Sequence, residues 1–169
     1  AGKSSLIRQI SGARPKVADY PFTTLHPNLG VVKAGNQHYV IADVPGLIEK
    51  ASEGAGLGFE FLKHLSRAGM LLHVVDILRA DGSNPVDNYL AIESAVKKFD
   101  EELFTKPRIL ALNKVDLIEK ENLTKVINKF VKKVKYKEKV FNISALNGFG
   151  CKSLVFGLSE LIERENDEK

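Results

Sequence analysis

The tripeptide Gly2-Lys3-Ser4 precedes a segment with helical hydrophobic spacing, and this arrangement could bind phosphate groups. It matches the last part of the phosphate-loop pattern G-x-x-x-x-G-K-[ST], and we expect a fragment that begins after the first glycine. Backbone N–H groups at a helix start favour an anion there. The Lys3 ammonium would reach the β- and γ-phosphates of a nucleotide, Ser4 would coordinate Mg²⁺, and Ser5 would lie beside them. An ordinary helix cap is the alternative interpretation.

The sequence DVPG at 43–46, directly after a strand pattern, is a second candidate. A carboxylate that leaves a strand near the phosphates can hold Mg²⁺ through a water, and a following glycine can offer its N–H to the γ-phosphate. We therefore assign Asp43 to the metal, and Pro45 and Gly46 to the nucleotide. Taken alone, this sequence would indicate a tight turn. Its position after Gly2-Lys3-Ser4 favours the functional interpretation.

The sequence NKVD at 113–116 follows the apolar run at 109–112 and carries the most specific chemistry. The Asp116 carboxylate has two acceptor oxygens, which match the N1–H and N2–H₂ donors of guanine. Adenine lacks this donor pair and would leave the carboxylate unpaired, so the motif selects the base. Asn113 would tie this loop to the phosphate loop, and the stem of Lys114 would lie over the base.

A fourth element, Ser144-Ala145-Leu146, follows another strand pattern, where a backbone N–H could contact guanine O6. The pair Ser-Ala is common, so this element is specific only by its position. The later motifs each follow a predicted strand, which is where ligands bind in open α/β sheets. Together the four motifs predict a guanine nucleotide site.

Alternating strand and helix patterns place these motifs in an α/β fold with a mostly parallel sheet. The signal Gly35-Asn36 adds one antiparallel hairpin. Long loops are predicted at 12–27 and 45–58. Helices are predicted at 3–11, 86–103, 123–134 and 154–162, and strands at 29–33, 38–42, 70–75, 108–112 and 139–143.

Composition limits the class of protein but does not identify it. The 169 residues suit one domain, and no apolar run approaches the length needed to span a bilayer. A single cysteine, Cys151, allows no internal disulfide and suggests a reducing compartment. The net charge of +4 is compatible with a nucleic-acid partner without requiring one.

With these motifs the chain resembles the translation-factor-related GTPases and, within them, the Obg family. The resemblance covers nearly all of the chain, and it implies a Ras-like P-loop GTPase domain whose first strand and phosphate-loop head are missing here. We expect this domain over 1–163, followed by a charged and frayed tail over 164–169. The most specific matches are ADYPFTTL at 18–25, PNLGVV at 27–32, ADVPGLIE at 42–49, ASEGAGLG at 51–58 and LLHVVD at 71–76.

By this resemblance Thr24 coordinates Mg²⁺ and senses the γ-phosphate, with Thr23 as the fallback and Phe22 in the same nucleotide-contacting segment. The physical argument is independent: a hydroxyl on a long loop binds Mg²⁺ only while the γ-phosphate holds the loop, so hydrolysis releases it. The alternative is that both threonines are ordinary turn and strand residues. We expect the catalytic groups to be Lys3, Thr24 and Gly46.

The residues after Gly46 predict slow hydrolysis. Ras-like enzymes have a glutamine there that orients the attacking water, whereas this chain has Leu47 and Ile48. Catalysis would then rest on the positive charge of Lys3 and the metal, since no side chain is a convincing base. The groups that could substitute, each more simply a solvated residue, are Glu49, Glu53 and His64.

The resemblance also implies a cytoplasmic factor of large ribosomal subunit assembly that binds GTP or GDP with Mg²⁺. Contact with the large subunit or its RNA would be made by the full-length protein. The alternative is a nucleotide-dependent interaction module with negligible turnover. Single-turnover hydrolysis with and without ribosomal subunits separates the two.

A basic run between 125 and 139 is the remaining feature. Its helical part would turn Val126, Phe130 and Val134 inward and its lysines outward. Such a face could meet RNA phosphates or could be a solvated helix surface. The seven lysines are Lys125, Lys129, Lys132, Lys133, Lys135, Lys137 and Lys139.

Overall fold

The computed structural model describes residues 2–12, 16–17, 28–42 and 68–169. A 3-10 turn lies at Val115–Leu117. The helices within these ranges are α1 (Lys3–Ile10), α2 (Pro85–Phe99), α3 (Glu101–Thr105), α4 (Lys120–Val134) and α5 (Cys151–Asp167). The strands are β1 (Lys16–Val17), β2 (Asn28–Ala34), β3 (Gln37–Ala42), β4 (Leu71–Asp76), β5 (Arg108–Asn113) and β6 (Val140–Asn142).

The described strands form two sheets of three strands each. Strands β1, β2 and β3 pair antiparallel in that order, and β4, β5 and β6 pair parallel in that order. The α/β class and the hairpin are confirmed, and Gly35 takes a positive φ of 60° in the turn. Strand β1 lies within a segment that was predicted to be a loop. Its two residues are too few to show the alternating pattern of a strand.

The parallel sheet lies between two layers of helices. Side chains alternate along its central strand, so Ile109 and Ala111 face one core cluster while Leu110 and Leu112 face the other. Helices α1 and α5 cover the first cluster, and α2 and α4 cover the second. Residues 109–113 are all buried, as expected for the middle strand of a parallel sheet.

The antiparallel sheet packs on α1 and α5 through β2. A Cβ atom on Gly30 would come within 2.8 Å of Ile7 Cγ2, so glycine lets the helix lie close to the strand. The Gly12 N–H also donates to Val31 O at 3.2 Å. Helix α1, which begins with the candidate phosphate residues, therefore contacts both the antiparallel sheet and the core of the parallel sheet.

The helix boundaries differ most from the prediction at two places. Asp100 is extended, and its Oδ1 accepts from the N–H groups of Glu102 and Leu103 at 2.9 and 3.2 Å, so it divides α2 from α3 by capping the second helix. Helix α5 continues to Asp167, so residues 164–167 of the segment predicted to be frayed are helical. Glutamate and arginine in this segment have high helix propensity. None of the helices described here could cross a membrane.

A half-buried polar cluster connects β4, α2 and β5. Glu93 pairs with Arg108 and lies 3.3 Å from His73 Nδ1, and the His73 ring stacks on Tyr89. Burial by itself raises the pKa of Glu93, but the hydrogen bonds and charges of His73 and Arg108 outweigh burial and hold it below its ordinary value.

Burial raises the pKa of the Cys151 thiol, which disfavours the reactive thiolate.

Candidate functional site

The carboxyl ends of the parallel strands bring three sequence motifs to one edge of the sheet. Asp76 at the end of β4 is directly opposite Asn113 at the end of β5. Beyond the end of β6, the Ile143 N–H donates to Leu112 O at 2.8 Å, which aligns the Ser144 loop with the Asn113 loop. Ligands bind at this edge in open α/β sheets.

The Asn113 side chain joins the beginning of α1 to the loop after β6. It is 2% exposed, and its Oδ1 accepts from the Ala145 N–H at 3.0 Å. Its Nδ2 lies 2.5 Å from the place that a Cβ atom on Gly2 would occupy. Gly2 also has a φ of +78°, so both its conformation and its neighbour require glycine. The structure thus brings Gly2, Asn113 and Ala145 together.

The next residue, Lys114, has a left-handed backbone with φ 69°. A left-handed backbone is strained for any residue other than glycine, and such strain persists where surrounding contacts hold the residue in place. The Lys114 Nζ lies 2.8 Å from Asp76 Oδ2, and the Asp76 side chain is 7% exposed. Asp76 is not among the site residues predicted from the sequence. An acid at the end of a buried strand, beside the motif at 113–116, is the signal that could have identified it.

Asp116 lies in the 3-10 turn, and its side chain is exposed. The turn is fixed from both sides, because Val115 N–H donates to Ile143 O at 3.3 Å and Leu117 N–H donates to Lys114 O at 3.1 Å. An exposed carboxylate on an anchored turn can accept hydrogen bonds from a ligand with little rearrangement.

The loop at 144–150 is closed by its own hydrogen bonds. The buried Ser144 accepts the Gly148 N–H at its carbonyl oxygen at 2.8 Å, and its own N–H donates to Phe149 O at 2.9 Å. Ala145 N–H is bonded to Asn113. Among the described residues, no acceptor faces the N–H of Leu146, whose side chain is 83% exposed. The backbone N–H predicted to contact the base could belong to any of these three residues, and within the described chain that of Leu146 is the one without an acceptor.

The phosphate-end candidates that are described lie in the first turn of α1. Leu6 N–H donates to Gly2 O at 2.9 Å, while Lys3 and Ser5 are half-buried and Ser4 is exposed. The positive end of the helix dipole therefore points toward the Asn113 edge of the sheet. The other candidates lie outside the described residues: Phe22, Thr23, Thr24, Asp43, Pro45 and Gly46.

The contact between Asp76 and Lys114 leads to a first prediction. Asp76→Asn keeps the shape of the side chain and removes its charge. The ion pair that holds the Lys114 side chain in place should then be lost. We expect GTP affinity to fall by roughly tenfold, equivalent to about 1.4 kcal/mol. Titration with a fluorescent GTP analogue measures this. Asp87→Asn, which removes an exposed acid from the first turn of α2, is the control.

A double-mutant comparison distinguishes positioning from general destabilisation. If Asp76 acts through Lys114, Asp76→Asn should cost little more affinity in a Lys114→Ala background. Equal losses in both backgrounds would show that the contact with Lys114 is not the reason.

Comparison with known proteins identifies the family. A family model described as 50S ribosome-binding GTPase matches residues 1–114. The chain therefore belongs to this family of GTPases, and its similarity within the family is to proteins of the Obg type.

Two curated relatives carry the Obg name. The chain is 62% identical over 165 residues to the GTPase Obg of Vesicomyosocius okutanii and 59% identical over 167 residues to that of Ruthia magnifica. These alignments cover 98% and 99% of the chain but 49% and 50% of the relatives. The chain thus spans about half the length of the relatives it matches, and its resemblance to the Obg family is confirmed.

Solved structures support the fold. A nucleolar GTP-binding protein 1 from Plasmodium falciparum aligns with a TM-score of 0.71 at 23% identity, covering 99% of this chain and 83% of that one. Era from Aquifex aeolicus, bound to GDP and aluminium fluoride, aligns with a TM-score of 0.61 at 24% identity, covering 93% and 52%. These likenesses place the chain in the Ras-like P-loop GTPase fold.

Proposed function

We propose that this chain is the GTP-binding and GTP-hydrolysing domain of a larger protein that acts on the large ribosomal subunit in the cytoplasm. The observation that carries the nucleotide site is the position of Asn113. Its side chain contacts Gly2, next to the phosphate-binding candidates, and it lies three residues before Asp116. One side chain therefore links the phosphate-binding candidates at the beginning of α1 to the loop that carries the base-reading candidate.

At the phosphate end, the first turn of α1 supplies backbone N–H groups and the Lys3 ammonium. Both favour the negative charge that shifts during phosphoryl transfer. The Ser4 hydroxyl, exposed in this turn, suits Mg²⁺ because Mg²⁺ prefers oxygen ligands. Thr24 and Asp43 would complete the protein ligands of the ion. Bound Mg²⁺ would neutralise charge on the β- and γ-phosphates.

At the base end, Asp116 accepts hydrogen bonds from the two donors of guanine. The stem of Lys114, held through Asp76, would lie over the base plane. The Leu146 N–H would donate to guanine O6, since the amides of Ser144 and Ala145 already have acceptors. This combination of donor and acceptors distinguishes guanine from adenine.

Hydrolysis is proposed to be slow because Leu47 and Ile48 follow Gly46, so no glutamine orients the attacking water from that place. Thr24 and the Gly46 N–H would bind the metal and the γ-phosphate in the GTP form. Loss of the γ-phosphate on hydrolysis would release Thr24 and Gly46. A partner could then distinguish the GTP form of the protein from the GDP form.

The proposal is tested with purified chain, GTP and Mg²⁺. We expect saturable GTP binding that weakens when EDTA removes Mg²⁺, and single-turnover phosphate release that large ribosomal subunits accelerate. If no phosphate is released with or without large ribosomal subunits, the chain is an interaction module with negligible turnover and not an enzyme. Equal binding of ATP and GTP would contradict the assigned site.

A further inference from the structure

The positive charge of this chain is concentrated in one short segment. Residues 125–139 contain seven lysines and one glutamate, a net charge of +6, while the whole chain carries +4. All other residues together are therefore slightly acidic. Such a concentration of positive charge creates a local electrostatic potential that attracts negatively charged ligands.

Four of these lysines form a stripe on α4 that we call the lysine face: Lys125, Lys129, Lys132 and Lys133. All four side chains are exposed, whereas Ile127 and Phe130 on the opposite side of the helix are buried. The spacing i, i+4, i+7, i+8 keeps them on one side of the helix. The stripe is about 12 Å long at a rise of 1.5 Å per residue.

Within the part of the chain that the structure describes, the lysine face has no acidic partner. In the ranges described by the structure, none of its four lysines has a carboxylate within 4.0 Å. By contrast, Arg79, Arg108 and Lys114 all pair with acids. Repulsion among adjacent like charges is mildly destabilising, so a ligand that neutralises the stripe would relieve it.

We propose that the lysine face binds the phosphate backbone of RNA. This inference rests on the ribosomal role proposed above and assigns a surface for it. Every nucleotide of an RNA strand carries a phosphate, so a stripe about 12 Å long can meet several of them. Release of their condensed counterions would supply the binding free energy.

A membrane surface fits the lysine face less well. A helix that lies on a bilayer needs an apolar side to insert between the lipids. The apolar side of α4 is already packed in the core, and none of the exposed large hydrophobic side chains of the described chain lies on this helix. The exposed residue between Lys125 and Lys129 is the polar Asn128.

The test compares two variants of equal net charge. K125E/K129E/K132E/K133E reverses the lysine face, and K33E/K98E/K152E/R164E reverses four exposed basic residues elsewhere. Each set changes the formal net charge from +4 to −4. A third variant with glutamine at the four lysine-face positions avoids placing glutamate in the last turn of α4, where it opposes the helix dipole. Circular dichroism and GTP affinity confirm that each variant is folded.

The probes are a fluorescein-labelled 24-nucleotide RNA hairpin, purified large ribosomal subunits with GTP, and vesicles containing phosphatidylserine. We expect the lysine-face reversal to weaken hairpin binding at least tenfold, and to reduce the slope of log affinity against log salt by about 3 units for four phosphate contacts. The hairpin affinity of the control variant should stay within about threefold of wild type, because charges distant from the RNA are screened by salt. The glutamine variant should lose most of the same affinity.

Equal losses in the two charge-reversed variants would overturn the inference, because net charge and not the lysine face would then set RNA affinity. Lysine-face-dependent binding to vesicles without binding to RNA would overturn it in favour of a membrane partner. Failure of the wild-type chain to bind large subunits, with hairpin binding intact and dependent on the lysine face, would instead contradict the proposed ribosomal role.

Discussion

Asp116→Asn is expected to convert the base preference from guanine to xanthine. Without the carboxylate, both charge-assisted hydrogen bonds to guanine are lost. We expect this to cost about 3 kcal/mol, or roughly 100-fold in GTP affinity. Asparagine instead offers one acceptor to N1–H and one donor to the O2 of xanthine, so xanthosine triphosphate should bind better than GTP. Competition between the two nucleotides against a fluorescent GTP analogue measures the ratio.

The exposed position of Asp116 makes this a sharp test, because the substitution should leave the fold intact. Asp87→Asn removes the same charge from an exposed position on α2 and should leave both affinities unchanged. Undiminished GTP binding by the Asp116 variant would show that this carboxylate does not read the base.

Asn113→Ala is expected to have the second large effect, on stability and binding together. The substitution leaves the Ala145 N–H without its acceptor in a buried place and removes the contact with Gly2. An unsatisfied buried donor costs about 1–3 kcal/mol of unfolding free energy, before the effect of the cavity. Since both ends of the nucleotide site depend on this side chain, GTP affinity should also fall by at least tenfold.

Asn142 provides the matched control for this prediction. It ends β6 as Asn113 ends β5, but its buried Oδ1 has no hydrogen-bond partner in the described chain. Asn142→Ala should therefore lower the free energy of unfolding much less. Urea unfolding of the two variants, with and without GTP, checks the difference. Comparable losses would mean that truncation of a polar side chain at a strand end, and not the Asn113 contacts, determines the effect.

Much of the scaffold was predictable because it depends on short-range patterns. The run at 109–112 and the signal Gly35-Asn36 indicated the central strand and the hairpin, and both are confirmed. The break at Asp100 was missed because the apolar spacing continues across it, while its capping bonds depend on local backbone geometry. Strand β1 exists only through pairing with β2, which no pattern within its two residues could indicate.

The sequence by itself determined the chemical groups of the candidate site, because a carboxylate at 116, a lysine at 3 and a hydroxyl at 4 have their chemistry wherever they lie. Only the tertiary structure decided which groups meet. Asn113 bonds to a residue 32 positions away, and Lys114 pairs with a buried acid on the neighbouring strand. Such contacts follow from the parallel pairing of β4, β5 and β6, which aligns strand ends that are far apart in the chain.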